Sequence, residues 1–303
     1  MFLILMFSTL PLFGLVLIGY SAGKFSILDR SDATVLLRLV AIIIVPFFGI
    51  KIIGNFRYEF VNWGLYWSYF FAQSMIYFGG FSLAKLLFRR SAPEAIIIGM
   101  TSAFSNHLFF VYPIALFEFG AKDIVPIETI IAADFVTVAL SVCALDITSQ
   151  KNFNLKAILR MQIYNPALVG LFLGLIVQLS NLNLPQTFQR LIEFVCNAGT
   201  PVALIAMGIL LSFGTNKTQL ALSILIALLK IVTFPIILLL LLLYFNFDMS
   251  ISTTTLMVSA APIGAMGLVF AAIYNITTDA VVRSGVITYI LALISIPLVG
   301  TIF

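Results

Sequence analysis

Apolar stretches of about 20 residues recur along the whole chain, separated by short polar segments. A bilayer has a hydrocarbon core about 30 Å thick, which a helix of roughly 20 apolar residues can cross. The chain is 62% hydrophobic and only 9% charged, whereas about 25% of residues in soluble domains are charged. A soluble fold of 303 residues could not hide this much apolar surface. We therefore predict an all-α polytopic membrane protein.

Ten of these stretches are predicted to be transmembrane helices. They are continuous apolar runs without alternation, which disfavours a membrane β-barrel. The first has no basic leader and is too long for a signal-peptide core, so we interpret it as a helix of the mature protein. The predicted spans are 2–20, 33–53, 64–88, 92–119, 124–147, 157–179, 188–212, 218–244, 251–274 and 279–302.

The basic residues predict the orientation, because Lys and Arg concentrate in cytoplasmic loops. Eleven of the sixteen lie on one face, four lie on the other, and Lys230 lies inside span 8. We expect the richer face to be cytoplasmic and both termini to lie on the opposite face. The scattered charges form no patch that would bind nucleic acid. The richer face has Lys24, Arg30, Arg38, Lys85, Arg89, Arg90, Lys151, Lys156, Arg160, Lys217 and Arg283, and the other has Lys51, Arg57, Lys122 and Arg190.

Spaced prolines indicate an internal repeat. Pro11 and Pro46 are 35 residues apart, as are Pro166 and Pro201, and the two pairs are offset by 155 residues. A unit of five spans crosses the membrane an odd number of times, so its copy must be inserted upside down. Inverted repeats of this kind are typical of secondary transporters. The predicted repeats are 1–150 and 151–303.

Two spans carry residues that disfavour a continuous helix. Span 4 contains Asn106, His107 and Pro113, and span 9 contains the run S-A-A-P-I-G-A-M-G at 259–267. The repeat offset relates His107 to Pro262. Unwound backbone survives in a membrane only against protein or a wet cavity. We therefore predict that helices 4 and 9 are broken, cross each other and share a site at the bilayer midplane. The alternative is that these residues only help helices to pack.

The predicted breaks favour an anion site. The second half of each helix would direct free N–H groups, with about half a positive charge, at the break. A small carboxylate could bind there, although for Asn106 backbone repair is the alternative, and for His107 a neutral hydrogen-bonded ring. Pro113 and Pro262 are predicted structural breaks. The candidate substrate-binding residues are Ser105, Asn106, His107, Pro262, Gly264, Ala265, Met266 and Gly267.

Two charged residues lie near mid-span, Asp134 in span 5 and Lys230 in span 8. Each would cost about 2.5–3.5 kcal/mol in lipid, so each is expected to face protein or water. They could form a permanent structural ion pair. Alternatively they could act as a switch that couples substrate movement to a proton, with His107 as a further proton carrier.

Several motifs resemble the auxin efflux carrier family, which includes bacterial malate permease-like proteins and plant auxin carriers. The resemblance covers nearly the whole chain. It implies ten helices in two inverted repeats, with a scaffold of helices 1, 2, 6 and 7 beside a moving domain of helices 3–5 and 8–10. In this chain the scaffold would be about 1–60 and 157–212, and the moving transport domain about 61–150 and 213–303. The motifs are L-P-L-F-G-L-V-L-I-G-Y (10–20), V-A-I-I-I-V-P (40–46), Y-N-P-A-L-V-G-L-F-L-G-L (164–175), the stretch 184–211 and A-A-P-I-G-A-M (260–266).

The sequence thus predicts a secondary active transporter for a small organic anion such as a dicarboxylate. We expect proton coupling, elevator-type alternating access, a homodimer formed through the scaffold, and a lipid environment in a bacterial inner membrane. No nucleophile with a base, metal-ligand spacing or phosphate loop occurs in the sequence, so we expect no enzyme, metal or cofactor. The alternatives are a sodium-coupled symporter of the bile-acid type and an uncoupled channel or sensor.

Overall fold

The computed structural model describes residues 1–56, 58–120, 124–149, 166–180, 184–213, 219–277 and 279–301. Several predictions fall outside these residues: the basic residues Arg57, Lys122, Lys151, Lys156, Arg160 and Lys217, the first part of span 6, and the boundary between the repeats. Within the described ranges the chain is helical, and its one β-bridge joins Ser105 to Ile263. The protein is an all-helical integral membrane protein.

The helices are numbered in chain order. The first seven are α1 Phe2–Lys24, α2 Arg30–Leu39, α3 Val45–Gly54, α4 Trp63–Leu86, α5 Ala92–Ala103, α6 Tyr112–Glu118 and α7 Val125–Ser149. The remaining seven are α8 Pro166–Leu179, α9 Gln186–Ser212, α10 Leu220–Leu228, α11 Phe234–Tyr244, α12 Met249–Ser259, α13 Met266–Ile273 and α14 Asp279–Val299. Wide π turns at Val40–Ile44, His107–Val111 and Leu229–Thr233 continue α2 into α3, lead into α6, and continue α10 into α11.

Six helical segments are long and apolar enough to cross a membrane. They correspond to predicted spans 1, 2, 5, 7, 8 and 10. Predicted span 3 is occupied by α4, and the described part of span 6 by α8, while spans 4 and 9 are each interrupted. The six are Phe2–Lys24, Arg30–Gly54, Val125–Ser149, Gln186–Ser212, Leu220–Tyr244 and Asp279–Val299.

Glycines bring two pairs of helices into close contact. A Cβ on Gly19 of α1 would lie 2.0 Å from the Ile205 carbonyl oxygen of α9, and one on Gly208 of α9 would lie 2.1 Å from the Val16 oxygen. Helices α3 and α8 meet in the same way, since a Cβ on Gly49 would lie 2.6 Å from Gly170. In lipid, where no hydrophobic force joins helices, such close backbone packing is a main source of association.

Local sequence explains where the helices at the site begin. Asp29 caps α2 and Ser91 caps α5, each in a reciprocal capping box with the residue three positions later. These boxes satisfy backbone N–H groups that have no partner inside the helix. Helix α5 thereby starts at Ala92 and runs, almost fully buried, to Ala103, where the site begins.

Three prolines follow the π turns at the same distance. Pro46, Pro113 and Pro235 each lie two residues after the last residue of a π turn. A proline lacks an N–H and clashes with the carbonyl four residues earlier, and a wider turn accommodates both defects. Pro113 was predicted to break helix 4, but the break lies upstream at Phe104–Asn106, and Pro113 starts α6 instead.

Candidate functional site

The two interrupted helices meet at their breaks. Between α5 and the next turn, Phe104–Asn106 is not helical, and neither is Ala260–Ala265 between α12 and α13. The Asn106 N–H donates to the Pro262 carbonyl at 2.9 Å, and the Gly264 N–H donates to the Phe104 carbonyl at 3.1 Å. Each break therefore satisfies backbone groups that the other has freed, as the apolar surroundings require.

Glycine is needed on the α13 side of this crossing. A Cβ on Gly264 would lie 3.0 Å from the Ser105 carbonyl oxygen. A Cβ on Gly267 would lie 2.4 Å from the Thr101 hydroxyl. Both glycines thus allow one broken helix to approach the other. This is the packing role that the sequence offers as the alternative to substrate binding.

Side chains add a second layer of bonds at the crossing. The Ser105 hydroxyl donates to the Val258 carbonyl at 2.6 Å, which ties the first break to the end of α12. The Asn106 amide donates to the Tyr289 hydroxyl of α14 at 2.7 Å. Phe110 packs edge-on against the Tyr289 ring, with centroids 5.7 Å apart. Sequence reasoning missed Tyr289, which accepts the hydrogen bond of Asn106, the one amide among the predicted substrate-binding residues. The signal that could have found it is a tyrosine hydroxyl inside an apolar span.

Both half-helices that follow the breaks start without a side-chain cap. Asn106 precedes the π turn His107–Val111, and Ala265 precedes α13, and neither provides a capping side chain. The N-terminal ends consequently keep the partial positive charge that a helix dipole produces. The anion site that the sequence predicts at these ends stays a prediction.

His107 and Asp134 form a buried polar pair beside the crossing. His107 Nδ1 lies 2.9 Å from the Ser105 carbonyl, which can only accept, so Nδ1 carries the hydrogen. His107 Nε2 lies 3.5 Å from Asp134 Oδ2, which has no hydrogen-bond partner among the described residues. Asp134 Oδ1 accepts from the Gln73 amide at 2.9 Å. A bare lone pair on Nε2 would repel a carboxylate oxygen, so attraction between these two atoms requires one proton on either His107 or Asp134.

Lys230 does not contact Asp134 in this structure. The lysine is fully buried, and its ammonium donates to the Ser259 carbonyl at 2.6 Å. Its Nζ also lies 4.8 Å from the centre of the Phe234 ring. The positive group thus sits at the C-terminal end of α12, where the helix dipole is negative. The permanent Asp134–Lys230 ion pair that the sequence left open is absent in this conformation.

A cavity of about 780 Å³ adjoins the site. Helix α2 and the turn after it form one wall, and α13 with the following Tyr274–Ile276 forms the other. Of the eight predicted substrate-binding residues, Met266 lines the cavity, while Ser105, Asn106 and His107 are buried in the crossing behind it. Arg30 and Arg38 also line it, so it opens on the face that is richer in basic residues.

Two contacts between predicted domains lie toward the opposite face. The Ser8 hydroxyl of α1 hydrogen-bonds the Glu118 carboxylate at the end of α6. Phe109, in the bulky step from Leu108 to Val111, packs edge-on against Phe48 of α3, with ring centroids 5.7 Å apart. These two contacts join the predicted scaffold to the predicted moving domain on the side away from the cavity mouth.

Comparison with known proteins identifies the kind of molecule. A family model described as membrane transport protein matches residues 4–118 and 141–299, and this family is the auxin efflux carrier-like one that the motifs resemble. The chain is also 24% identical, over 221 residues, to a protein of Rhizobium meliloti (strain 1021) that is proposed to transport malonate. That alignment covers 69% of this chain and 67% of the relative. The matches indicate transport rather than enzymatic catalysis.

Proposed function

The chain belongs to the membrane transport protein family, and from this premise we propose that it is a secondary active transporter of a small organic anion. The observation that carries the proposal is the crossing, where two broken helices are joined by backbone hydrogen bonds next to a cavity. Broken helices with uncapped N-terminal ends at the membrane midplane are a common way to bind an anionic substrate.

We propose ten transmembrane helices in two inverted repeats. The glycine contacts support this arrangement, because a pairing of spans 1 and 7 is matched by a pairing of spans 6 and 2. An inverted repeat of five spans would relate these two pairs to each other. The pairs would form the scaffold and, as we propose, the homodimer contact, and the remaining spans would move as the transport domain in an elevator-type cycle.

The proposed substrate is a small carboxylate. The relative from Rhizobium meliloti is proposed to transport malonate, a dicarboxylate. In this chain the uncapped ends before His107 and Met266 supply partial positive charge, and Met266 reaches the cavity. Asn106 would turn its amide from Tyr289 toward the substrate, at the cost of one hydrogen bond.

The proposed coupling ion is a proton held by the His107–Asp134 pair. The pair is buried, and its geometry requires one proton for attraction. Loss of that proton would leave an unpaired carboxylate, for which Lys230 is the nearby cation. Asp134 would therefore pair with His107 in one state of the cycle and with Lys230 in another. This retains the switch predicted for Asp134 and Lys230 and adds His107 as a second partner of Asp134.

A sodium-coupled mechanism is the second candidate. Hard oxygen ligands would have to come from hydroxyls such as Thr101, Ser102 and Ser259, each of which donates its hydrogen to a carbonyl of its own helix and keeps its oxygen lone pairs for a cation. The Ser259 carbonyl, however, is occupied by the Lys230 ammonium. A cation at this point would meet a positive charge, which favours the proton.

The cavity position supports an inward-open state. The face that is richer in basic residues would be cytoplasmic, and the termini would lie on the other side of the membrane. The cavity opens on that face, so it would open toward the cytoplasm. The Ser8–Glu118 bond would then close the outer side. We propose that the membrane is a bacterial inner membrane.

Uptake into proteoliposomes tests the function. The purified chain should accumulate a carboxylate from a panel of mono- and dicarboxylates when a pH gradient is imposed, with saturation kinetics. Accumulation that follows a sodium gradient and ignores pH would select the symporter alternative. Flux without saturation, proportional to the driving force, would identify a channel and overturn the proposal.

A further inference from the structure

Arg38 is a positive charge set inside the cavity wall. It lies eight residues after Arg30, which is about 12 Å deeper along the helix. Arg38 shares one helix face with Thr34, Ala41 and Val45, and all of them line the cavity. The arginine is therefore inside the span Arg30–Gly54 and not at its end.

No carboxylate balances this charge. Among the described residues that line the cavity, none is acidic. Arg38 has no ion-pair partner in the described part of the chain. Asp146 of α7 does not line the cavity; it is buried and accepts a hydrogen bond from the hydroxyl of Tyr274, which does. The Arg38 side chain is exposed in this cavity, so an anion that enters from solution can pair with its free guanidinium.

The cavity contains a second positive pole. Met266 begins α13, whose N-terminal end has no side-chain cap and therefore carries partial positive charge. Met266 and Arg38 line the same cavity of about 780 Å³. A volume of this size accommodates a small organic molecule, and two positive poles on one cavity fit an anion with two negative ends.

We propose that Arg38 binds a carboxylate group in the cavity and makes the protein prefer dicarboxylates to monocarboxylates of equal length. This inference rests on the proposed anion transport and deepens it. A guanidinium pairs with a carboxylate through two parallel hydrogen bonds. A monocarboxylate could satisfy only one of the two positive poles.

Binding to the purified full-length protein tests this with two four-carbon probes, succinate and butyrate. Wild-type protein should bind succinate more tightly than butyrate. Arg38→Gln should weaken succinate binding about tenfold or more, because a charged hydrogen-bonded pair is lost, and should reduce the preference over butyrate. Arg38→Lys should lie between the two. Lys24→Gln, which removes a charge outside the cavity from the same face, should change neither probe.

A second variant keeps Arg38 but neutralises its charge with a neighbouring carboxylate. Thr34→Glu places a carboxylate one turn before Arg38 on the same face, in the orientation that favours an ion pair. It should weaken succinate binding in the same direction as Arg38→Gln, even if the latter does not fold. Unchanged succinate affinity in Thr34→Glu or Arg38→Gln would overturn the proposal and leave Arg38 as an anchor for lipid headgroups. Failure of the wild type to bind either probe would also overturn it. Arg38-dependent binding without uptake into vesicles would instead count against the transport function alone.

Discussion

The crossing and the glycine-packed helix pairs both contain proline and glycine, but the helices are broken at the crossing and continuous in the pairs. Helices α1 and α9 contain Pro11 and Pro201 and remain continuous. The chain around Pro262 is unwound over six residues, Ala260–Ala265. The difference lies in the partner: around α1 and α9 the neighbour is an intact helix, whereas at the crossing a second break supplies hydrogen-bonding groups. A proline therefore permits a break, and a matching break elsewhere stabilises it.

The two regions should also respond differently to substitution. At the glycine contacts the chain cannot move without loss of packing, so variants there should affect folding. At the crossing the backbone bonds do not depend on side chains, so variants there, other than at the close-packed Gly264 and Gly267, should affect transport while the protein stays folded. The expected effects below run from the largest to the smallest.

Gly19→Val should remove most folded protein. The new side chain would start 2.0 Å from the Ile205 carbonyl oxygen, and overpacking of this kind costs about 1–3 kcal/mol or more. The melting temperature and the monodisperse fraction in detergent measure it. Gly14→Val on the same helix, where a Cβ meets nothing within 4 Å, should behave as wild type. Equal losses in both variants would contradict the close-contact explanation.

Asp134→Asn should abolish uptake driven by a pH gradient while uptake down a substrate gradient continues. The amide keeps the oxygen that accepts from Gln73 but cannot share a titrating proton with His107. The Asn amide N–H can donate to the Nε2 lone pair of a neutral His107 in place of the shared proton, so the melting temperature should not fall. Asp146→Asn, a buried carboxylate of the same helix that bonds Tyr274, is the matched control. If Asp134→Asn still accumulates the anion when a pH gradient is imposed, the hypothesis that the His107–Asp134 pair carries the coupling proton is wrong.

Asn106→Ala should raise the half-saturation concentration for the anion about tenfold, the typical effect of one lost hydrogen bond to a charged group. Tyr289→Phe removes the resting partner of the Asn106 amide but keeps the amide itself. Its half-saturation concentration should therefore stay the same or fall. Equal increases in both variants would show that Asn106 serves only to hold the structure.

Asp29→Ala should produce the smallest change, because this carboxylate is exposed to solvent. Hydrogen bonds from the Ser31 hydroxyl and then from the Asp32 N–H hold the pKa of Asp29 below its ordinary value of 3.8. A lowered pKa stabilises the fold above pH 3.8, and the contribution is lost as the pH falls through the folded-state value. The variant should thus melt slightly lower than wild type at pH 7, with a smaller difference at acid pH. If the difference in melting temperature between wild type and variant grows toward acid pH, the lowered pKa of Asp29 is contradicted.

The sequence predicts much of this fold because lipid leaves few options. Long apolar runs must be helices, and their bounds follow within a few residues, as in predicted span 7 (188–212) and α9 (186–212). The break in helix 9 follows from Pro262, Gly264 and Gly267, and the repeat offset relates Pro262 to His107 beside the break in helix 4. The number of ten crossings and their inverted symmetry stay predictions.

Details of the site depend on distances that no pattern contains. Asp134 and Lys230 attract each other by charge, yet the carbonyl at the end of α12 is the lysine's partner. Pro113 marks the region of the break but not its position, since a π turn absorbs the proline defect. Tyr289 looks like an ordinary span residue, and Arg38 like one more basic residue beside a cytoplasmic loop, until the packing places one on Asn106 and the other in the cavity wall.

The bonds between Asn106 and Pro262 and between Gly264 and Phe104 run entirely through the backbone. Their geometry survives whatever side chains the neighbouring positions acquire, provided that the close-packed glycines are kept. If this crossing carries the proposed movement, substitutions along the cavity wall can alter substrate preference while the backbone joint is kept. Evolution can then change the substrate of such a carrier through positions in α2 and α13 and leave the crossing intact.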